Sequence, residues 1–223
     1  MNPGDRSPTL TFVILILTGL TGIVDAESFL SFGHVFTANM TGNVVFIAFA
    51  VAGVPGLSVA RSGTALVGFL GGATLGARMA LRVDTRDAMR VVATALFVQT
   101  ASLVAATVLV IGRDDWPANH QASLYVVIAL TAIAMGVQNA TALKLAMPGL
   151  TPNVLTGALT GIGDSLFGAH NPVWTRRVAS VATMFAGALV GTWLWRRSAV
   201  SPLAVAAATS AACALFIVRQ GKR

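Results

Sequence analysis

Residues 22–43 read GIVDAESFLSFGHVFTANMTGN, and a more apolar copy, GVQNATALKLAMPGLTPNVLTG, occupies residues 136–157. Gly22, Asp25, Thr37 and Asn39 fall opposite Gly136, Asn139, Thr151 and Asn153 at one constant offset of 114 residues. One inserted residue later, Thr41-Gly42 meets Thr156-Gly157. Each copy sets polar groups where a long apolar run closes. The chain therefore reads as two related halves, residues 9–112 and 123–219, within one membrane domain.

Outward from these copies, composition decides the class. Of 223 residues, 55% are hydrophobic and only 10% charged, with mean hydropathy +0.77. A water-soluble domain of this size must keep a large polar surface, which this chain cannot supply. Near-uncharged runs approach the roughly 20 residues that cross a bilayer as helix. An all-α polytopic membrane protein is expected. The net charge of +7 does not imply nucleic acid, because the fifteen Lys and Arg sit in short loops and at helix ends. Cys213 is the single cysteine, which excludes an intramolecular disulfide and suggests a free packing residue. Arg6 followed by the apolar run 10–20 loosely imitates a signal peptide. Asp5 in the basic region, and a cleavage site inside the repeated motif, argue against one.

The expected helices cover residues 9–30, 39–54, 62–82 and 91–112 in the first half. Those of the second cover 123–146, 153–168, 178–195 and 202–219. Helices 39–54 and 153–168 are short: sixteen residues rise only about 24 Å, against a hydrocarbon core about 30 Å thick. Asn39 or Thr41 is placed to cap the first of them. Gly68, Gly72 and Gly76 recur at four-residue spacing, and Gly187 and Gly191 match the last two at offset 115. Such small-residue faces let helices pack closely. Trp174, Trp193 and Trp195 suit an interfacial aromatic belt.

Positive charge tests how many segments cross. If all eight cross with the Arg-rich loop 78–90 in the cytoplasm, seven Lys and Arg lie inside and eight outside. If the two short helices enter and return on one side, eleven lie inside and only Arg61, Arg113, Arg196 and Arg197 outside. The positive-inside rule prefers the second arrangement, with six crossings and both termini cytoplasmic. Each half then holds three crossings and a re-entrant helix, and the halves point in opposite directions. Arg196-Arg197 is the weak point, a basic pair left outside.

Inverted repeats with broken helices are a transporter device, in which helix ends near the midplane form the site. Two short-helix N-termini aimed inward would favour an anion or a carboxylate group. The alternative is that Asn and Thr only satisfy backbone groups that lipid cannot. Asp25 is sharper, since a carboxylate near a membrane segment is costly and often functional. Its repeat counterpart, Asn139, is the neutral isostere. The alternative places Asp25 and Glu27 at the outer interface as solvated ends. Asp164 is a similar case, six residues from His170, with the end of a short helix as its alternative reading, and His34 reads as a polar loop residue. No metal-ligand spacing, nucleophile–base arrangement or phosphate-binding loop stands out.

G-x-V-D-A-x-S-F-L, F-x-A-N-M-T-G-N and M-G-V-Q-N-A together resemble the YoaK-like family of bacterial integral membrane proteins, a domain-of-unknown-function group. The likeness covers essentially the whole chain and falls on Gly22, Asp25, Ala26, Phe36, Asn39, Thr41, Gly42, Asn43, Gly136, Gln138 and Asn139. It implies a multi-pass protein of the bacterial inner membrane, and no substrate, cofactor or catalytic residue.

Two function classes remain. One is a small-solute secondary transporter or permease, with proton coupling as an option. Asp25 would titrate or bind the cation, with Asn39, Thr41, Asn43, Gln138, Asn139 and Asn153 lining the site. Its partners would be the lipid bilayer, an unknown small solute of anionic or carboxylate-bearing type, and a second copy in a homodimer. Neither cofactor nor metal is expected. The other class is a non-transporting scaffold or sensor whose polar motifs merely hold two re-entrant helices. An intramembrane enzyme using Asp25, Glu27 and His34 is weakest, because the repeat does not duplicate the histidine.

Overall fold

The computed structural model describes residues 8–81, 88–113, 116–117, 120–145, 157–160 and 172–220. Helix α1 covers Pro8–Ser31, α2 Met40–Val51, α3 Val59–Leu81 and α4 Ala88–Val110. After them come α5 (Gln121–Leu145), α6 (Pro172–Trp195) and α7 (Ser201–Gln220). Residues 157–160 are helical, and the rest of the expected helix 153–168 lies outside the described residues. No strand occurs among the described residues. All of these helices except α2 are long and apolar enough to cross a membrane, six in number. Helix α2, at 12 residues, rises only about 18 Å.

The helix starts differ from expectation in an instructive way. Helix α6 opens at Pro172 rather than 178, because a proline suits a first helical turn and Arg176 and Arg177 prolong the helix beyond its apolar part. Trp174 and Trp193 are both exposed, near opposite ends of α6. Nineteen residues separate them, about 29 Å of helix, which matches the hydrocarbon thickness. Arg197 stacks on Trp193 at 3.8 Å, as a cation at a membrane boundary would. Val67, Leu70, Leu81 and Phe185 are each at least 65% exposed. In water such a surface would be an aggregation hazard, whereas in lipid it is the ordinary outer face.

Glycines dictate which helices meet. A Cβ on Gly72 would strike the backbone of Ile133, and one on Gly76 that of Val137, so α3 and α5 touch backbone to backbone. In return, Gly136 of α5 abuts Phe69 and Ala73 of α3. Helices α1 and α6 repeat the pattern: Gly187 abuts Gly19, Gly191 abuts Ile23, and Gly22 abuts Met184 and Ala188. The two seams are copies. Gly19 and Ile23 correspond to Ile133 and Val137 at offset 114, and Phe69 and Ala73 to Met184 and Ala188 at offset 115. The first span of each half therefore packs on a span of the other half. Positions rise together along both seams, so α3 runs parallel to α5 and α1 parallel to α6.

The segment between α1 and α3 returns to the end it left. Arg61, at the start of α3, donates from Nη1 to the Gly33 carbonyl just after α1, at 3.1 Å. Gly33 has φ +80, and a Cβ there would also collide with the Arg61 guanidinium, so glycine is needed twice over. Helix α2 begins and ends between these two points.

Candidate functional site

The Asp25 side chain leaves α1 toward the loop that follows it and is only 4% exposed. Its Oδ1 accepts the backbone N–H of Thr37 (3.2 Å) and of Ala38 (2.9 Å). Its Oδ2 accepts from Asn39 Nδ2 at 2.6 Å. These donors lie just ahead of α2, where backbone amides lack helical partners and the helix end is electropositive. The carboxylate thus ties the loop ahead of α2 to α1. Asn39 takes the N-cap position of α2 but makes no side-chain cap bond. Its amide is committed to Asp25 instead. Thr41 does not cap either; it is exposed.

Asn43 completes the lock. Fully buried on α2, its Oδ1 accepts the Phe36 N–H at 3.0 Å, and its Nδ2 donates to the Phe36 carbonyl. One side-chain amide therefore pairs both backbone polar groups of one residue, as a neighbouring strand would. Phe36 stacks between Phe29 (5.3 Å) and Phe46 (5.6 Å), tying the loop to α1 and α2. His34 lies at the surface with φ 61 and meets the edge of Phe29 at 5.0 Å.

A second polar group lies inside the bundle. Gln99 of α4 donates from Nε2 to Gln138 Oε1 of α5 at 2.7 Å. Gln138 in turn donates to Thr21 Oγ1 of α1 at 2.9 Å, and at 3.4 Å to the Leu17 carbonyl. Gln99 Oε1 is buried with no partner among the described residues. Beside the pair is a cavity of about 20 Å³, lined by Leu17, Leu96 and Thr141 as well as both glutamines. That volume holds about one water molecule.

The sequence-derived residues thus separate into two places. Asp25, Asn39 and Asn43 meet at the α1–α2 loop, with Thr41 turned outward. Gln138 stands in the interior with Gln99, to which the sequence analysis gives no role; the signal for it is an amide in mid-span. Asn139 is half-buried with Oδ1 unpartnered among the described residues, and Asn153 lies outside them. The solvated-end reading of Asp25 and Glu27 is overturned: both are buried, Glu27 at 0% exposure. Helix α1 runs on to Ser31, which keeps both inside the bundle. No three His, Cys, Asp or Glu side chains gather among the described residues.

Comparison with known proteins fits this architecture. Residues 13–216 match the family described as "Protein of unknown function (DUF1275)". The chain belongs to this family. It is similar to the UPF0700 transmembrane protein YoaK of Bacillus subtilis (strain 168), 35% identical over 155 residues. That alignment spans 70% of the chain and 65% of the relative, just under two thirds of the relative's length. No solved structure matches. With the six spanning helices, the family makes the chain a multi-pass membrane protein.

Proposed function

We propose that the chain is a small-solute secondary transporter or permease of the bacterial inner membrane, with both termini in the cytoplasm. Its halves form an inverted repeat, and solute passes at their interface. The observation that carries this reading is the exchanged packing of the first spans, mirrored residue by residue at offsets of 114 and 115. Two observations support opposed direction: α1 ends beside the start of α3, and α3 runs parallel to α5, the repeat copy of α1. Opposed halves that rock against each other give alternating access to a central site.

Gln99, Gln138 and Thr21 mark that site, since they are the polar cluster where α1, α4 and α5 converge. The solute expected is small and polar, able to donate and accept hydrogen bonds. Asp25 is spent on the loop ahead of α2 and on Asn39, so the solute contacts are assigned to the interior amides. Uptake of a panel of small polar solutes into proteoliposomes tests the reading. Saturable uptake that is lost in Gln138→Leu supports it, and no flux of any solute contradicts it. A homodimer belongs to the same proposal, and cross-linking in native membranes tests it.

One observation favours the scaffold reading. Every polar atom of Asp25 and Asn43 is spent on the loop, as a purely structural lock requires. Partner capture that survives Gln138→Leu, with no solute flux in the unaltered chain, would favour it.

A further inference from the structure

Glu27 stands two residues beyond Asp25, in different surroundings. It lies on the α1 stripe that includes Leu20, Val24 and Ser31, all of them buried. Its exposure is 0%, and neither carboxyl oxygen has a hydrogen-bond partner among the described residues. The Ser31 hydroxyl, one turn on and within reach, is unpartnered in the same way.

Helix α1 packs against α5, α6 and α7. Their described titratable or charged side chains are Tyr125 on α5, Arg176 and Arg177 on α6, and Cys213 and Arg219 on α7. Arg196 and Arg197 follow α6, and Arg61 and His34 lie beyond the end of α1. None of them bonds to Glu27. Asp25, the neighbouring carboxyl, is already held by three donors.

A carboxylate ionised in such surroundings would be a buried charge with no basic partner among the described residues, which proteins avoid by neutralising the group. A protonated carboxyl needs no counter-ion, and one rotation lets its O–H donate to Ser31. The repeat sharpens the point. At offset 114 Glu27 corresponds to Thr141, which lines the interior cavity beside Gln99 and Gln138. One half carries a hydroxyl that keeps its proton, and the other a carboxyl that can exchange one.

We propose that Glu27 is a proton-binding site inside the bundle, loaded in the state seen here and unloaded when rocking of the halves brings water to it. The carboxylate takes a proton from water on one side and returns it to water on the other. Its role as the coupling site rests on the transporter reading, and it replaces Asp25 as the exchangeable group. The binding of the proton does not depend on that reading.

The test uses the full chain in liposomes. Dicyclohexylcarbodiimide modifies protonated carboxyls in apolar surroundings, and peptide mass spectrometry locates the adduct. The expected result is an adduct on Glu27 and not on Asp25, declining as pH rises and lost in Glu27→Gln. Infrared spectra of the unaltered protein give a second readout. A protonated-carboxyl C=O band should titrate with pH, vanish in Glu27→Gln and persist in Asp25→Asn. An unmodified Glu27 at every pH, with no infrared band lost in Glu27→Gln, would overturn the proposal. A titrating Glu27 in a protein that moves no solute would uphold the proton site and remove the transport reading alone.

Discussion

Asp25 is bound by three donors while Glu27, on the same helix, has none among the described residues, so equal charge need not mean equal duty. If Asp25 is the lock of the α1–α2 loop, its substitutions should sort by hydrogen-bonding capacity. Asp25→Ala leaves two backbone N–H groups and the Asn39 amide unpaired. Each costs about 1–3 kcal/mol, so a loss of about 3 kcal/mol or more is expected. Asp25→Asn keeps an acceptor for the backbone amides, and an Asn39 flip restores the third bond, so most stability should remain. Thermal unfolding of both variants in detergent checks the difference. Equal stability would show that the lock is not needed. The glutamine pair separates stability from function. Replacing both Gln99 and Gln138 by Leu removes donor and acceptor together, which is nearly neutral for folding. The double variant should therefore unfold near the unaltered chain and yet lose uptake. At this scale the sequence made Asp25 conspicuous but not its depth. The expected helix 9–30 already carries α1 past Glu27; its burial depends on the helices packed around α1, and these cannot be read from a polar stretch after an apolar run.

Helix contacts depend on a few positions where no side chain fits. Gly72 and Gly136 face each other's helices at backbone distance, whereas Gly63 and Gly71, on the same α3, have nothing within 4 Å of an added Cβ. Gly72→Ala and Gly136→Ala should force α3 and α5 apart and cost about 1–3 kcal/mol, as overpacking does. Gly63→Ala and Gly71→Ala should be neutral, or stabilising by up to about 1 kcal/mol through helix propensity. Thermal unfolding of the four variants side by side tests this. Uniform behaviour would show that the seams are looser than their geometry. The four-residue glycine spacing was legible in the sequence and marked the right helices as contact helices. Which helix each would meet was not, because small-residue spacing describes one face and carries no information about the partner. Helix α6 shows another limit: its early start at Pro172 was hidden by Arg176 and Arg177, since a hydropathy reading ends a span at charge whether or not the helix ends there.

For the molecule as a whole, repeat and packing converge. Residues 114 apart occupy equivalent places in two seams that exchange the first spans of the halves. Either half alone would expose the glycine face of its first span, so the halves should not fold apart. Co-expression of residues 1–115 with 116–223 should recover a complex, while each fragment alone should be degraded; a stable single fragment, followed by immunoblot, would contradict this. The existence of two halves was legible from the paired motifs, and the six spans from apolar runs. Their exchange was not, because internal similarity says which residues are equivalent and nothing about which ones touch.

Alternating access requires halves that run in opposite directions, and cysteine accessibility reads their direction. On a Cys213→Ser background, single cysteines are placed at Ser58, at Ser198 and at each terminus, and intact cells are exposed to an impermeant thiol reagent. An inverted pair with six crossings predicts labelling from outside at Ser58 and Ser198, with both termini protected. Labelled termini with a protected Ser198 would mean parallel halves with eight crossings, and would contradict the inverted repeat.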